Sequence, residues 1–248
     1  MKSRDAIPHK NQIGASLVEL MISIVIGLLI TFMVTSHYLS SRQSYQTTTV
    51  TSELLDEQRY AMQVITSQLL LAGYSDYWFN REAGFPALAA KDGAPSFGPG
   101  ELVKSDSLSG VWLRFKPAAL ENQLVHGCLT GAIAEPVDST IVMRLFVENE
   151  ELRCQRRGEN AETLLNNVDG VAFTYLDDSD EFQPLASANW PTVRAVKVEL
   201  LLASGAETFD APVAQKYAWQ GGTRTFNDRR IRSQVSRIVA LRNALGGR

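Results

Sequence analysis

The sequence predicts an α+β fold in which one long N-terminal helix, membrane-spanning in its first part and amphipathic in its second, packs on an antiparallel β-sheet domain. Three observations lead to this prediction. Residues 15–39 carry a single formal charge, residues 40–72 contain neither proline nor glycine, and the rest alternates short apolar runs with turn-forming residues. The length beyond the membrane segment, roughly 175–200 residues, suffices for a domain with its own core.

The first part of the predicted helix has the length and composition of a membrane-spanning segment. The only formally charged side chain between residues 15 and 39 is that of Glu19. Because about 20 apolar residues in a helix span the hydrocarbon core of a bilayer, this segment can cross a membrane once. No later part of the sequence approaches its apolar content.

The helical pattern continues beyond residue 39. Apolar residues recur at steps of three and four, which predicts one buried stripe along an amphipathic helix. The stripe consists of Leu54, Leu55, Ala61, Met62, Ile65, Leu69 and Ala72. One helix is expected from about residue 16 to residue 72, ending at Gly73, since glycine is a typical helix C-cap. Gly27 and residues 47–51 are its weak points, because glycine and β-branched residues have low helix propensity.

After residue 73 the pattern becomes that of a β domain. Residues 74–100 are rich in aromatic residues, glycine and proline, which predicts an irregular segment. Strand-like runs follow at residues 111–115, 141–147, 151–155, 171–176, 194–202 and about 233–241. A hairpin is expected across residues 148–150, and the turn spacing predicts an antiparallel sheet packed on the helix.

Charge and cysteine content limit the possible functions. The 24 Lys and Arg residues and 27 Asp and Glu residues give a net charge of −3. This balance provides no overall attraction to nucleic acid. The two cysteines, Cys128 and Cys154, predict one disulfide, because a domain exported across a membrane meets an oxidising compartment. Two unpaired buried thiols are the alternative.

The first 14 residues differ from an ordinary secretory signal, in which a small-residue cleavage site follows the apolar stretch. Here Lys2, Arg4 and Lys10 lead to Gly14, and the apolar segment begins only afterwards at Ala15. Cleavage between Gly14 and Ala15 therefore leaves the apolar helix attached to the mature protein. The basic residues predict a cytoplasmic N-terminus and a domain on the outer side of the inner membrane.

A resemblance to a known processing signal is carried by residues 14–20, GASLVEL. This segment resembles the class III signal of type IV pilins and type II secretion pseudopilins, except that Ala15 stands where the family usually has phenylalanine. The resemblance implies that a membrane prepilin peptidase cuts after Gly14 and methylates the new amine of Ala15.

The same resemblance implies a role for Glu19, the fifth residue of the mature chain. A carboxylate within an apolar helix costs about 2.5–3.5 kcal/mol or more and usually has a partner. In the assembled filaments of this family, the partner is the N-terminal ammonium of a neighbouring subunit. A plain single-pass anchor that happens to follow a glycine is the alternative interpretation.

Three further segments are similar to the PilW family of minor type IV pilins, namely residues 39–45, 72–74 and 238–243. Residues 171–176 and 194–202 also resemble the J-type minor pseudopilin of type II secretion. The resemblance implies a pilin-like fold. Its parts are a cleaved leader (1–14), a transmembrane and filament-core helix (15–39), an amphipathic continuation (40–73) and a β-rich periplasmic domain (74–248).

The function implied by the resemblance is that of a minor pilin that helps to prime or cap pilus assembly. The implied partners are other minor pilins, the major pilin, the prepilin peptidase and the inner-membrane assembly platform, and no cofactor is implied. The chain is expected first in the inner membrane and then in the extracellular pilus. A minor pseudopilin of type II secretion and a membrane-anchored adhesin or DNA-binding module are the alternatives.

Residues suited to catalysis do not converge in the sequence. The three histidines, His9, His37 and His126, fall in the leader, the apolar helix and a loop. A phosphate-binding glycine loop, a zinc-spaced set of Cys and His and a nucleophile elbow are all missing from the sequence. We therefore expect no enzymatic activity and no metal centre.

Two charged clusters are candidate binding sites. Residues 177–181, DDSDE, could offer oxygen ligands to Ca²⁺, but they lack the glycine and distal glutamate of an EF-hand, so a solvated turn is expected. Residues 224–248 contain seven arginines and one acid, Asp228. A solvated strand face, a partner-binding surface and a DNA-binding surface are the possible interpretations of this tail. The candidate basic patch consists of Arg224, Arg229, Arg230, Arg232 and Arg237.

Overall fold

The computed structural model describes residues 16–75, 80–116 and 139–244. Helix α1 spans Leu17–Leu71 and α2 spans Arg81–Gly84, and two short 3-10 helices span Trp190–Thr192 and Arg242–Ala244. The strands in this part of the chain are β1 (Val103–Ser107), β2 (Gly110–Phe115), β3 (Ile141–Glu148), β4 (Glu151–Arg156), β5 (Glu162–Leu165), β6 (Val168–Leu176), β7 (Phe182–Gln183), β8 (Ala195–Ala203), β9 (Val213–Trp219), β10 (Gly222–Asp228) and β11 (Arg232–Ala240). The chain divides into two compact units after Thr48.

Helix α1 forms over the predicted range and is not interrupted at either predicted weak point. The hydroxyl groups of Thr47 and Thr48 donate to the carbonyl oxygens of Gln43 and Ser44, at 3.0 and 2.9 Å. Hydroxyls that bond to the preceding turn in this way are satisfied within the helix. The threonine-rich stretch therefore costs the helix some propensity without ending it.

From Thr49 onward one face of α1 is buried in the second unit. The buried helix residues are Leu54, Gln58, Ala61, Met62, Ile65, Gln68 and Leu69. The prediction that Leu55 belongs to this stripe is wrong, because its side chain is exposed. One residue corresponds to about 100° around a helix, so the stripe that includes Leu54 continues at Gln58 and misses Leu55.

The end of α1 depends on Gly73, as predicted. This residue has a φ of 74°, in the left-handed region that favours glycine. Its N–H donates to the carbonyl oxygen of Arg114 at 2.9 Å. A Cβ atom at this position would lie 2.5 Å from Cδ1 of Leu102. Glycine thus ends the helix and allows the chain to pass close to β2.

The strands form antiparallel sheets, which confirms the predicted class, but they are divided among three sheets rather than one. Their orders are β1-β2-β3-β4-β5, β11-β8-β6-β7 and the hairpin β9-β10. The predicted hairpin between β3 and β4 is present, with Glu148 opposite Glu151. Asn149 and Glu150 in its turn have φ values of 53° and 60°, as a type I′ hairpin turn requires.

The two larger sheets and the second part of α1 enclose one hydrophobic core. The buried residues that β2 and β8 contribute to it are Val111, Leu113, Phe115, Val196, Val198, Leu200 and Leu202. They alternate along each strand, as expected when one face of a strand meets a core. This packing confirms the predicted arrangement of an amphipathic helix against antiparallel strands.

Five strands were not predicted from the sequence. Strands β1, β5 and β7 lie at sheet edges, and β9 and β10 form a hairpin of mostly exposed or half-buried residues. Strands in such positions need few apolar side chains, so the alternation that reveals a half-buried strand is weak in them. Most of the predicted strands contribute several buried residues to the core, whereas the predicted strand β11 contributes Val239 alone.

Residues 80–101 form an irregular segment that covers the second face of β2, so that β2 is buried on both faces. Phe97 and Ala94 of this segment form a small apolar cluster with Trp112 and Val142. Double coverage explains why Val111–Phe115 contains a continuous bulky run instead of a simple alternation of apolar and polar residues.

The side chain of Arg114 holds this segment on the sheet. Arg114 is 1% exposed, and its guanidinium donates to the carbonyl oxygens of Pro86 (2.7 Å), Gly98 (2.7 Å), Phe85 (3.1 Å) and Glu101. It also lies over the rings of two aromatic residues, at 5.3 and 5.1 Å from their centroids. Burial lowers the pKa of Arg114 to about 10, although nearby Glu101 opposes this shift.

Candidate assembly surfaces

The first candidate surface is the N-terminal part of the chain. Gly14 and Ala15, the predicted cleavage and methylation positions, lie outside the described residues. Glu19 lies in the first turn of α1 and is exposed. A negative side chain in a first turn is favoured by the helix dipole. The role of all three residues stays a prediction.

The first half of α1 presents an apolar surface. Every residue from 16 to 39 is exposed, and α1 is the one helix in the described part of the chain that is long and apolar enough to cross a membrane. The hydroxyls of Ser23 and Thr31 donate to the carbonyl oxygens of Glu19 and Gly27 at 2.7 and 2.8 Å. These polar groups are therefore satisfied inside the helix and can enter an apolar environment.

The acidic cluster at residues 177–181 forms the turn between β6 and β7. Asp177 is buried rather than solvated, and its carboxylate accepts hydrogen bonds from the hydroxyl of Ser179 (2.6 Å), the N–H of Ser179 (2.9 Å) and the N–H of Asn189 (2.9 Å). These hydrogen bonds lower the pKa of Asp177, and the bond from the Ser179 hydroxyl has the largest effect. The carboxylate thus serves to fix the turn.

The next acids of this cluster also have partners within the chain. The carboxylate of Asp178 accepts from the hydroxyl of Thr192 at 2.7 Å and from the side-chain amide of Asn189 at 3.1 Å, and both bonds lower its pKa. Asp180 pairs with Arg194. Among the described residues, no group of three or more His, Cys, Asp and Glu side chains is arranged to hold a metal ion.

The arginines of the candidate basic patch lie in different environments. The side chain of Arg232 is 2% exposed. Its Nε lies 2.5 Å from Oδ2 of Asp169, and its two terminal nitrogens donate to both carboxylate oxygens of Asp228 at 2.7 and 2.6 Å. A bidentate pair of this kind is strong and directional. Hydrogen bonding to Arg232 lowers the pKa of Asp228 to about 2.

Arg230 and Arg229 anchor neighbouring loops. Arg230 donates from Nε to the carbonyl oxygen of Ser204 at 2.7 Å and pairs with Glu150 at 3.2 Å. Arg229 donates to the carbonyl oxygen of Phe209 at 2.6 Å and pairs with Glu207 at 3.0 Å. Much of the charge of these two arginines and of Arg232 is therefore neutralised within the chain.

Arg224 and Arg237 are the exposed members of the candidate patch. Arg224 donates to the carbonyl oxygen of Asp169 at 2.7 Å, and Arg237 donates to the hydroxyl of Thr66 at 3.4 Å. Neither guanidinium has an acidic partner among the residues that the structure describes. The five arginines thus do not form one continuous basic surface, and a role in binding a partner stays a prediction.

The predicted disulfide lies partly outside the described residues. Cys154 is buried in β4, facing the core, and is disulfide-bonded. Cys128 lies within the undescribed range 117–138. The pairing of Cys128 with Cys154 therefore stays a prediction.

Sequence reasoning missed the contacts that hold the β9-β10 hairpin. Gly170 of β6 provides the space for it, because a Cβ atom there would lie 2.9 Å from Cζ2 of Trp219 and 2.9 Å from Nη1 of Arg224. The partners in these contacts are more than 40 residues apart in the chain. Asp228, a single acid among many arginines, was the one local indication that an arginine of this region has a partner within the chain.

The helix and antiparallel sheets define the α+β class that the sequence predicted. Residues 149–243 match the model of the PilW family, described as Type IV Pilus-assembly protein W. This match confirms the resemblance to that family over the second half of the β domain.

A solved structure with some similarity to this chain is a type IV-like pilin from Thermus thermophilus. It is 19% identical in sequence, and the match covers 77% of this chain and 98% of that chain with a TM-score of 0.46. A comparison with curated proteins finds no match.

Proposed function

We propose that this chain is a minor subunit of a type IV pilus and that it helps other minor pilins to prime or cap filament assembly. The observation that carries the proposal is the first half of α1, which is apolar, exposed along its length and carries one carboxylate, that of Glu19. The family match over residues 149–243 supports the same class of machine.

In this proposal α1 has two successive environments. It first anchors the chain in the inner membrane, with the β domain in the periplasm. It then enters the core of the filament together with the helices of other subunits. The satisfied hydroxyls of Ser23 and Thr31 suit both environments, since neither offers water as a hydrogen-bond partner.

Glu19 forms the ion pair that aligns neighbouring subunits during assembly. Cleavage after Gly14 frees the amine of Ala15, which is methylated and stays cationic. In a helix bundle of low effective dielectric constant, this ammonium and the Glu19 carboxylate of a neighbouring subunit attract each other more strongly than they would in water. The pair thereby sets the axial register between neighbouring helices, while the β domain contacts the other minor pilins and the major pilin.

Replacing Gly14 with valine tests this function. We expect the 14-residue leader to be retained, because the peptidase would meet a branched side chain at the cleaved bond. The precursor should stay in the membrane and be absent from sheared pili, as measured by mass spectrometry and immunoblotting of both fractions.

Gly27→Val is the matched control, because a Cβ atom at Gly27 meets nothing within 4 Å; its leader should be removed normally. Pili that contain uncleaved Gly14→Val at wild-type levels would contradict the proposal. Normal pili combined with a loss of protein secretion in the Gly14→Val strain would instead assign the chain to a type II secretion system.

A further inference from the structure

Strand β11 forms one edge of the four-stranded sheet. It pairs with β8 over nine consecutive residues, Arg232 to Ala240, without a register shift. It contains no proline. A long, regular edge strand of this kind can pair with a further strand, so proteins usually shorten, distort or cover such edges.

The backbone hydrogen bonds show which groups of β11 point away from the sheet. The N–H of Ser204 donates to the carbonyl of Ile231, and the N–H of Leu241 donates to the carbonyl of Arg194. Odd-numbered residues of β11 therefore bond to β8, and even-numbered residues direct their N–H and C=O groups outward. The outward carbonyl of Arg232 accepts from the hydroxyl of Tyr217 at 3.4 Å, which agrees with this assignment.

The outward backbone groups in the second half of β11 have no partner within the described residues. In the described part of the chain, no hydrogen bond reaches the outward N–H or C=O groups of Ser236, Ile238 or Ala240. We call residues 236–240 the β11 edge. The side chains of Ser236, Arg237, Ile238 and Ala240 are exposed, and that of Ile238 is 59% exposed.

The other edges of the two larger sheets are protected. The pairing of β1 is irregular between Lys104 and Ser107. Strand β5 has four residues and a register shift opposite it, between Leu152 and Arg153, and β7 has only two residues. Short and irregular strands offer a poor template for pairing. Of these four edges, the β11 edge is the one that combines a regular register with backbone groups unpaired in the part of the chain that the structure describes.

The side chains of the β11 edge define which kind of strand could pair with it. Ile238 presents an apolar surface on one face of the sheet. Arg237 is on the opposite face, and neither it nor exposed Arg242 has an acidic partner among the described residues. A strand added here would therefore be stabilised by a carboxylate opposite Arg237 and an apolar side chain opposite Ile238, since cross-strand pairs of both kinds are favourable.

We propose that the β11 edge receives an extended segment of a neighbouring pilus subunit as an added strand, and that this segment carries an Asp or Glu next to an apolar residue. Main-chain hydrogen bonds would provide affinity, and Arg237 and Ile238 would provide selectivity, as in other cases of β-strand addition. This inference rests on the proposed function and specifies how the β domain recognises its neighbour.

The test measures how much of the full-length chain enters pili. Ser236→Pro removes an outward N–H while leaving the bonds to β8 intact, Ile238→Lys places a charge on the apolar position, and Arg237→Glu reverses the charge. Each variant should be processed normally and reach wild-type levels in the membrane. The amount in sheared pili should fall about fivefold or more for each variant.

The matched control is Leu108→Lys. Leu108 is 54% exposed, similar to Ile238, but lies in the turn between β1 and β2. This variant should enter pili normally. Incorporation of all three β11 variants at the wild-type level would overturn this inference but not the proposed function. Absence of the wild-type chain from pili would overturn both.

A photo-reactive residue placed at Ser236 identifies the segment that binds the β11 edge. This result does not depend on the stability of the proline variant. The expected adduct maps to an extended segment of another pilin-class subunit that contains the predicted acid. An adduct to a helix, to DNA or to a protein of another class would overturn the inference, as would the lack of any adduct in assembled pili.

Discussion

Replacing Glu19 with alanine should leave leader cleavage intact and lower the amount of the chain in pili by about tenfold or more. The physical reason is that the neighbouring N-terminal ammonium would lose its carboxylate within an apolar helix bundle. Removing one member of a buried ion pair costs about 3–5 kcal/mol, because the remaining charge is left without compensation. The measurement is the ratio of pilus-bound to membrane-bound chain in cells.

Ser23→Ala is the matched control for this prediction. Ser23 lies one turn after Glu19, and its hydroxyl donates to the helix carbonyl of Glu19, so its removal should not change incorporation. If Glu19→Ala entered pili as well as Ser23→Ala does, the proposed pairing between the carboxylate and the N-terminal amine would be wrong.

Replacing Arg114 with methionine should destabilise the β domain by about 3–5 kcal/mol, because carbonyl oxygens that now accept hydrogen bonds from its buried guanidinium would lose that donor. Methionine approximates the length of arginine but donates no hydrogen bonds. The carbonyl oxygens of Glu101 and Pro86 would then lose their present donor, whereas those of Phe85 and Gly98 keep the N–H groups of Gly100 and Glu101. Each unsatisfied buried group costs about 1–3 kcal/mol, reduced where the segment can move to reach water.

Denaturant unfolding of the full chain in mild detergent measures this effect, and limited proteolysis between residues 80 and 101 locates it. Arg59→Ala is the control, since Arg59 is an exposed helix residue whose pair with Asp56 should contribute less than about 1 kcal/mol. A loss of stability in Arg114→Met no larger than in Arg59→Ala would show that Arg114 does not hold the segment in place.

The sequence was sufficient to predict α1 and the central strands because these elements bury one regular face. The steps of three and four residues from Leu54 to Leu69 and the alternation around Val198 follow directly from helix and strand geometry. The range of α1 and the class of the fold were predicted from such patterns. The misassignment of Leu55 arose because two adjacent leucines can both seem to belong to one stripe, whereas only Leu54 lies on the buried face.

The remaining features depend on residues far apart in the chain. Arg232 was predicted as part of a surface patch, but Asp169, 63 residues away, pairs with it in a buried site. Arg114 gave no signal in the sequence because its partners are backbone carbonyls, which every residue carries. The open β11 edge likewise follows from the order of strands in the sheet, and no local pattern specifies that order.

The most direct test of the account is the N-terminal sequence and mass of the mature chain purified from membranes or pili. The account predicts that the chain begins at Ala15 and carries a methylated amine, with the whole apolar helix retained. A chain that begins at Met1, or at any residue after the apolar segment, would contradict the proposal that this protein is a processed pilus subunit.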